Sequence, residues 1–241
     1  MLQIKRKYIN EYWFSDKPKN NDFLKLNSYV QCRTKSILYK VSHKKTLFID
    51  LTRDKKYILQ QFSKNTRYEI KRISDEDICV KVGNIKIEDY VKLYNSFAKS
   101  RFLPTITVSD LNYYWKHLEV IYVKHGSNII ALHSYLCDGE RARLYHSISI
   151  FRIDSKYDKN FMARANRYLH FSSMMYFKEK NYKIYDFGGV TTFEKDKMNG
   201  IDRFKSGFGG EKIIEYNLLT YPLWLSLKLK GIYEKIYSKI R

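Results

Sequence analysis

The stretch from Tyr185 to Gly210, Y-D-F-G-G-V-T-T-F-E-K-D-K-M-N-G-I-D-R-F-K-S-G-F-G-G, holds six of the ten glycines of the chain. Glycine gives up side-chain packing and costs backbone entropy, so clusters belong where a chain turns tightly or approaches another group closely. The segment opens with Asp186 at the end of an apolar run and closes with Arg203, Phe204 and Lys205 beside a second glycine cluster. Two hairpin turns would explain the glycines alone. The charged neighbours point to a site.

What precedes this segment limits the fold. Lys35–Val41 and Thr46–Leu51 read as a hairpin turning at S-H-K-K. D-K-K-Y-I-L-Q-Q-F-S-K-N-T-R-Y-E-I-K-R-I reads as two short helices broken near Ser63–Thr66. Ile87–Lys99 has helical spacing, and Ser109 suits an N-cap for a helix over Asp110–Leu118. Three strands follow, Glu119–Val123, Ile129–Cys137 and Arg141–Ile150, with Asp138-Gly139 as a hairpin signal. A helix over about Ala163–Lys180, capped by Asn181, leads to a strand at Tyr182–Phe187, and Lys212–Leu218 reads as the last strand. Antiparallel strands followed by strand-helix-strand predict an α/β mixed sheet with helices on both faces. Ligands of such sheets sit at the carboxyl ends of strands, where Asp186 and Gly188 fall.

Composition excludes several classes. Hydrophobic content of 44% and aromatic content of 16% argue against disorder. No apolar run reaches the roughly 18–20 residues of a membrane span, and the first residues lack a signal-like apolar core, so a cytoplasmic location is expected. Cys32, Cys79 and Cys137 are scattered, and none of the six histidines falls in a ligand spacing. Reduced thiols and no metal are expected. A net charge of +20 attracts phosphates of nucleic acid, anionic lipid or a nucleotide-bearing molecule. A compositional bias towards Lys, Ile, Asn and Tyr would also produce it.

L-Q-Q-F-S-K-N-T-R-Y-E-I-K-R, N-R-Y-L-H-F-S-S-M-M-Y-F-K-E-K-N-Y-K-I-Y-D-F-G-G and G-I-D-R-F-K-S-G-F-G-G together resemble the Fem-like branch of the GNAT acyltransferase superfamily. The resemblance runs from about Leu47 to Tyr216 and is similar to the short, single-unit members. It implies a GNAT-like acyltransferase fold with a mixed sheet splayed in its middle, where the acyl donor threads between two strands. It also implies a bacterial role in cell-wall or polysaccharide biosynthesis. Residues 1–75 would be an N-terminal extension of hairpin and helices, the remnant of a first unit, and 76–241 the catalytic domain. The family's glycine-bearing phosphate loop is replaced by D-K-N-F-M-A-R-A-N, leaving N–H groups near Ala163 as phosphate donors.

The implied activity is N-acyl or aminoacyl transfer to an amine of a nucleotide- or lipid-linked amino sugar or another envelope precursor. The donor would be acyl-CoA or aminoacyl-tRNA as co-substrate, with no tightly bound cofactor. By this resemblance Lys205 stabilises the charge on the donor, helped by Arg203, and Asn166 touches the donor. Arg67 and Arg72 would clamp an acceptor phosphate. Asp186 is open to three readings, a base, a group that orients the acceptor amine by a charge-assisted hydrogen bond, or a structural cap, and Gly188 and Gly189 would bring backbone N–H groups to substrate beside Phe187 and Phe204. His133, His146 and Tyr145 are candidates for proton transfer. The alternative is a non-catalytic RNA- or partner-binding module.

The C-terminal segment places Trp224, Leu225, Leu229, Ile232, Tyr233, Ile236 and Ile240 on one broad side, with Lys228, Lys230, Lys235, Lys239 and Arg241 elsewhere. A basic amphipathic helix of this kind suits either peripheral contact with an anionic membrane or packing on its own domain.

Overall fold

The computed structural model describes residues 1–19, 21–73, 76–149 and 157–240. Ile150, expected to end a strand, lies outside them, as do Arg241 and the side chains of Ile232, Tyr233, Lys235, Ile236, Lys239 and Ile240. The chain forms two compact units, one of Met1–Lys45 with Ile213–Arg241 and one of Thr46–Lys212. The expected break after residue 75 is thus displaced to 45/46, because the helices of residues 55–73 pack into the second unit.

The first unit is built on strands β1 (Leu2–Arg6), β2 (Ile9–Trp13) and β3 (Asn27–Cys32). It also holds most of β10 (Glu211–Leu219) and helix α7 (Tyr221–Ile240). The strand order is β1-β2-β3-β10, with β2 and β3 parallel and the other pairs antiparallel. Tyr12 stacks on Tyr29 at 4.9 Å between ring centroids, over Cys32, Tyr39 and Leu218.

The second unit contains the end of β4 (Lys40–Asp50), α1 (Lys55–Gln61), α2 (Lys64–Ile73), β5 (Ile78–Val82), α3 (Ile87–Ser100) and α4 (Val108–Trp115). There follow β6 (Leu118–His125), β7 (Asn128–Cys137), β8 (Arg141–Ser149), α5 (Lys159–Glu179), β9 (Ile184–Val190) and α6 (Gly200–Ser206). Its strand order is β4-β9-β8-β7-β6-β5, a mixed α/β sheet in which β8 and β9 are parallel. Side chains of successive strand residues alternate between faces. Ile121, Val123 and Tyr135 pack with α1, α2 and α5 on one face, while Val120, Tyr122 and Leu132 pack with α3 and α4 on the other. Among the described residues, no helix is long and apolar enough to cross a membrane.

Three local expectations are corrected. The S-H-K-K turn does not form: Lys40–Asp50 is one strand, whose exposed polar half needs no reversal because none of those residues favours positive φ. The α4 cap is Thr107 rather than Ser109; its hydroxyl accepts from Asp110 N–H while the Asp110 carboxylate accepts from Thr107. Residues 116–118 leave the helix, and Leu118 begins β6. The segment before Lys205 is helical as α6, capped by the Asn199 side chain accepting from Asp202 N–H at 2.8 Å.

The second glycine cluster owes its composition to packing. Ser63 N–H donates to Gly207 O at 2.8 Å, and a Cβ on Gly209 would stand 2.5 Å from Gln61 O. At Gly210 (φ +87°) a Cβ would stand 2.4 Å from Phe48 O. The motifs Q-Q-F-S-K-N-T-R and F-K-S-G-F-G-G are therefore two sides of one contact, with Phe208 against Phe62 at 5.1 Å inside it. Gly210→Ala combines a clash with backbone atoms and a left-handed φ. It should destabilise the protein by about 2–4 kcal/mol, read by denaturant unfolding.

Candidate functional site

Parallel pairing of β8 and β9 is short. It runs through Arg141↔Ile184, Ala142↔Tyr185 and Arg143↔Asp186, although the strands continue to Ser149 and Val190. On the other edge of β8 the register slips opposite Ser134 and Tyr135, so Tyr145 is a bulge residue. The two strands therefore part beyond Asp186 and leave an opening between them.

Asp186 fixes the root of the opening. It is wholly buried. Its Oδ1 accepts from the Thr46 hydroxyl and from Gly188 N–H at 2.8 Å; its Oδ2 accepts from Arg141 Nε at 3.1 Å and from the Arg141 terminal nitrogen. Arg141 is itself buried and lies over the Phe48 ring at 4.4 Å. Burial alone would raise the Asp186 pKa, but Arg141, Arg143 and the Thr46 hydroxyl hold it below the usual carboxylate range. A carboxylate so fixed takes no proton near neutral pH. The base role considered for Asp186 is accordingly replaced by that of a buried anchor, the cap reading. Gly188 N–H is spent on this anchor and is not offered to substrate; its φ is +70°, and a Cβ there would stand 3.1 Å from Leu144 O.

Lys205, carried on α6, reaches the backbone of β9. Its Nζ donates to Gly189 O at 2.6 Å. Burial pulls the ammonium down to about 8, opposed by the negative charges of Asp186 and Asp202 and assisted by Arg143. The helix carrying it is held by Asp202, which is buried and accepts from Thr191 N–H at 3.1 Å and from the Thr191 hydroxyl. The negative charge of Asp186 thus favours the Lys205 ammonium. Arg203 is different: residues two apart on a helix do not share a face, and Arg203 is exposed. It does not assist Lys205. Phe204 stays near the site, half-buried, with the Arg167 guanidinium over its ring at 5.0 Å.

Other candidates are drawn into the core. Phe187 is fully buried, 5.0 Å from both His170 and Phe208, and does not meet substrate. The Asn166 Oδ1 faces His133 Nε2 at 2.8 Å, starting a buried chain. His133 Nδ1 meets Tyr135 OH at 2.9 Å, Tyr135 meets Tyr185 at 3.0 Å, and Tyr185 OH meets His170 Nδ1 at 2.6 Å. Burial pushes His133 down to about 4 and His170 well below its usual value, so both rings are neutral. This chain fastens α5 to the sheet. On the opposite face, Tyr90 OH lies 2.7 Å from both Ser134 Oγ and His146 Nδ1, and Tyr94 packs 4.3 Å from the His146 ring. Tyr145 packs on Tyr114 at 5.4 Å. His146 and Tyr145 thus take part in the packing of α3 and α4 on the sheet.

Arg67 and Arg72 separate. Arg67 donates to Phe62 O at the end of α1, a structural cap. Arg72 lines a cleft of about 480 Å³ between α2 and the start of α5, together with Asn65, Asn160, Arg164 and Arg167 and the carboxylates Glu69 and Asp158. Arg164 is buried, and its Nε has no hydrogen-bond partner among the described residues. The α5 N-terminus starts earlier than expected, at Lys159, where the Asp158 carboxylate already accepts from Asn160 and Phe161 N–H. Ala163 N–H lies inside the helix and is no anion donor. Thr46, Arg141, Arg143, Arg164 and Arg167 escaped the sequence reading; R-A-R at the start of β8 was the available signal for the anchor.

No protein-family model matches the chain, and no curated protein matches its sequence. Solved structures do. FemX aligns with a TM-score of 0.58 and 13% identity over 79% of this chain and 65% of FemX. The chain thus spans just under two thirds of the length of that protein. L-PGS from Bacillus licheniformis aligns with a TM-score of 0.56 and 12% identity over 98% of this chain and 85% of that one. The C-terminal domain of an Agrobacterium fabrum protein described as a lysylphosphatidylglycerol synthetase gives 0.57 and 11% over 90% and 79%. The fold is a GNAT-like acyltransferase fold.

Proposed function

We propose that the protein is an acyl- or aminoacyltransferase that forms an amide on an amine of an amino sugar or other cell-envelope precursor. The observation that carries this reading is Lys205, held by Gly189 O at the mouth of the β8–β9 opening and kept near its titration point by burial. An acyl group lying in the opening would place its carbonyl beside this cation. Attack by the amine forms the C–N bond and puts negative charge on the carbonyl oxygen. The C–O bond of an aminoacyl ester or the C–S bond of a thioester then breaks, and the amine proton passes to the departing oxygen or sulfur. Lys205 stabilises the charge as it develops, and orientation of the two substrates supplies the rest of the rate. Asp186 and Arg141 keep the turn rigid, which fixes Gly189 and hence Lys205. Arg72, Arg164 and Arg167 outnumber the carboxylates Glu69 and Asp158 in the α2–α5 cleft, which would suit a phosphate-bearing substrate.

The likeness to FemX and L-PGS supports the fold behind this reading, and it makes an aminoacyl donor worth testing beside a thioester. The purified protein is incubated with acetyl-CoA or with charged tRNA, each against nucleotide-linked amino sugars, and products are followed by mass. An amide adduct made by wild type and lost in Lys205→Ala is the expected result. A protein that binds these ligands, forms no amide with any pair, and binds equally well as Lys205→Ala would be a binding module.

A further inference from the structure

Near the start of helix α7, Leu223 is buried. Two residues on, the helix changes character. Leu225 is 51% exposed and Leu229 57%, and their spacing of four puts them on one side. Lys228 and Lys230 beside them are exposed, with Lys228 Nζ over the Trp224 ring at 5.1 Å. The sequence repeats the pattern beyond them, isoleucines at 232, 236 and 240 against lysines at 235 and 239. Within the same unit, Lys40 Nζ lies over the Trp224 ring at 5.6 Å, and Lys40 belongs to the run K-S-I-L-Y-K. Ile37 in that run is 93% exposed between two lysines.

Exposed aliphatic side chains flanked by ammonium groups fit one environment, the headgroup boundary of an anionic bilayer. There the chains enter the acyl region and the lysines meet lipid phosphates. A second copy of the chain is the less suitable occupant, since it would bring together two surfaces of the same sign on molecules each carrying +20. We infer that the face of α7 bearing Leu225 and Leu229, together with the Ile37 turn, docks the protein on anionic membrane.

The test uses the full chain and sedimentation with vesicles, either pure phosphatidylcholine or phosphatidylcholine with roughly a third phosphatidylglycerol. Wild type should partition at least about tenfold more strongly to the anionic vesicles. Leu225→Ser with Leu229→Ser leaves the net charge unchanged, so attraction through charge alone survives in it. The double variant should nevertheless lose about tenfold or more in partitioning. Ile37→Ser, in a separate loop, should lose several-fold and guards against misfolding of the helix variant. Equal binding of wild type and all three substitutions to the anionic vesicles would overturn the inference. So would equal binding to neutral vesicles, or a solution dimer that the leucine substitutions convert to monomer.

Discussion

Asp186→Ala should lower the stability of the protein by about 3–5 kcal/mol, because it leaves the Arg141 guanidinium buried without its carboxylate. For a chain of this size that corresponds to a fall in Tm of roughly 6–20 °C. The expectation follows from the environment: Asp186 is wholly buried, and its two oxygens are taken by Arg141, Thr46 and Gly188 N–H. The pH dependence has a definite sign. A carboxylate whose folded pKa is depressed contributes stability above its unfolded pKa and loses it as pH falls through the lower folded value. Urea unfolding of wild type should therefore weaken in acid more steeply than that of Asp186→Asn, which starts less stable and has no such proton to bind. An Asp186→Ala variant as stable as wild type would remove the anchor from the account.

Lys205→Ala should reduce transfer by about 100- to 1000-fold, the usual loss when one donor to a developing oxyanion is removed. Its Tm should change little, since Lys205 is half-buried on a seven-residue helix held by Asn199 and Asp202. The rate should also report the Lys205 titration. The cation is the active form, and burial has brought its pKa down to about 8. Activity is then fully present near pH 7 and falls as pH rises through about 8, whereas a solvated lysine would hold its charge to about 10. Lys205→Arg keeps the charge throughout that range. It should abolish the alkaline fall, at a lower plateau because a planar guanidinium does not sit on Gly189 O as an ammonium does.

Much of the fold was legible because its signals are local. The stripe of Tyr90, Leu93, Tyr94 and Phe97 marked α3, and Asp138-Gly139 marked the β7–β8 turn. The order of strands, helix and strand implied a mixed sheet. What escaped depends on partners distant in sequence. The β1–β2 turn carries no glycine, since Lys7 itself adopts a φ of +48°. The continuity of β4 is invisible in S-H-K-K, whose residues favour neither a turn nor a strand. At the site, Lys205 and Asp186 stood out beside glycines, but the identity of Asp186 as anchor rests on Arg141 and Thr46, 45 and 140 positions away. His146 and Tyr145 looked reactive because a histidine and tyrosine on a strand show no face; their partners, Tyr90 and Tyr114, come from helices that the sequence does not align with them. The glycines of the second cluster signalled close approach correctly. What they approach is the α1–α2 junction and β4.

Promotion of amide formation by the Lys205 cation is read from single-turnover transfer with the donor–acceptor pair that the mass assay identifies, across pH 6–10, in wild type, Lys205→Ala and Lys205→Arg. The expected result is a wild-type rate falling above about pH 8, a flat profile for the arginine variant, and a rate about 100-fold or more lower for the alanine variant at pH 7. Equal rates for wild type and Lys205→Ala at pH 7 would contradict it.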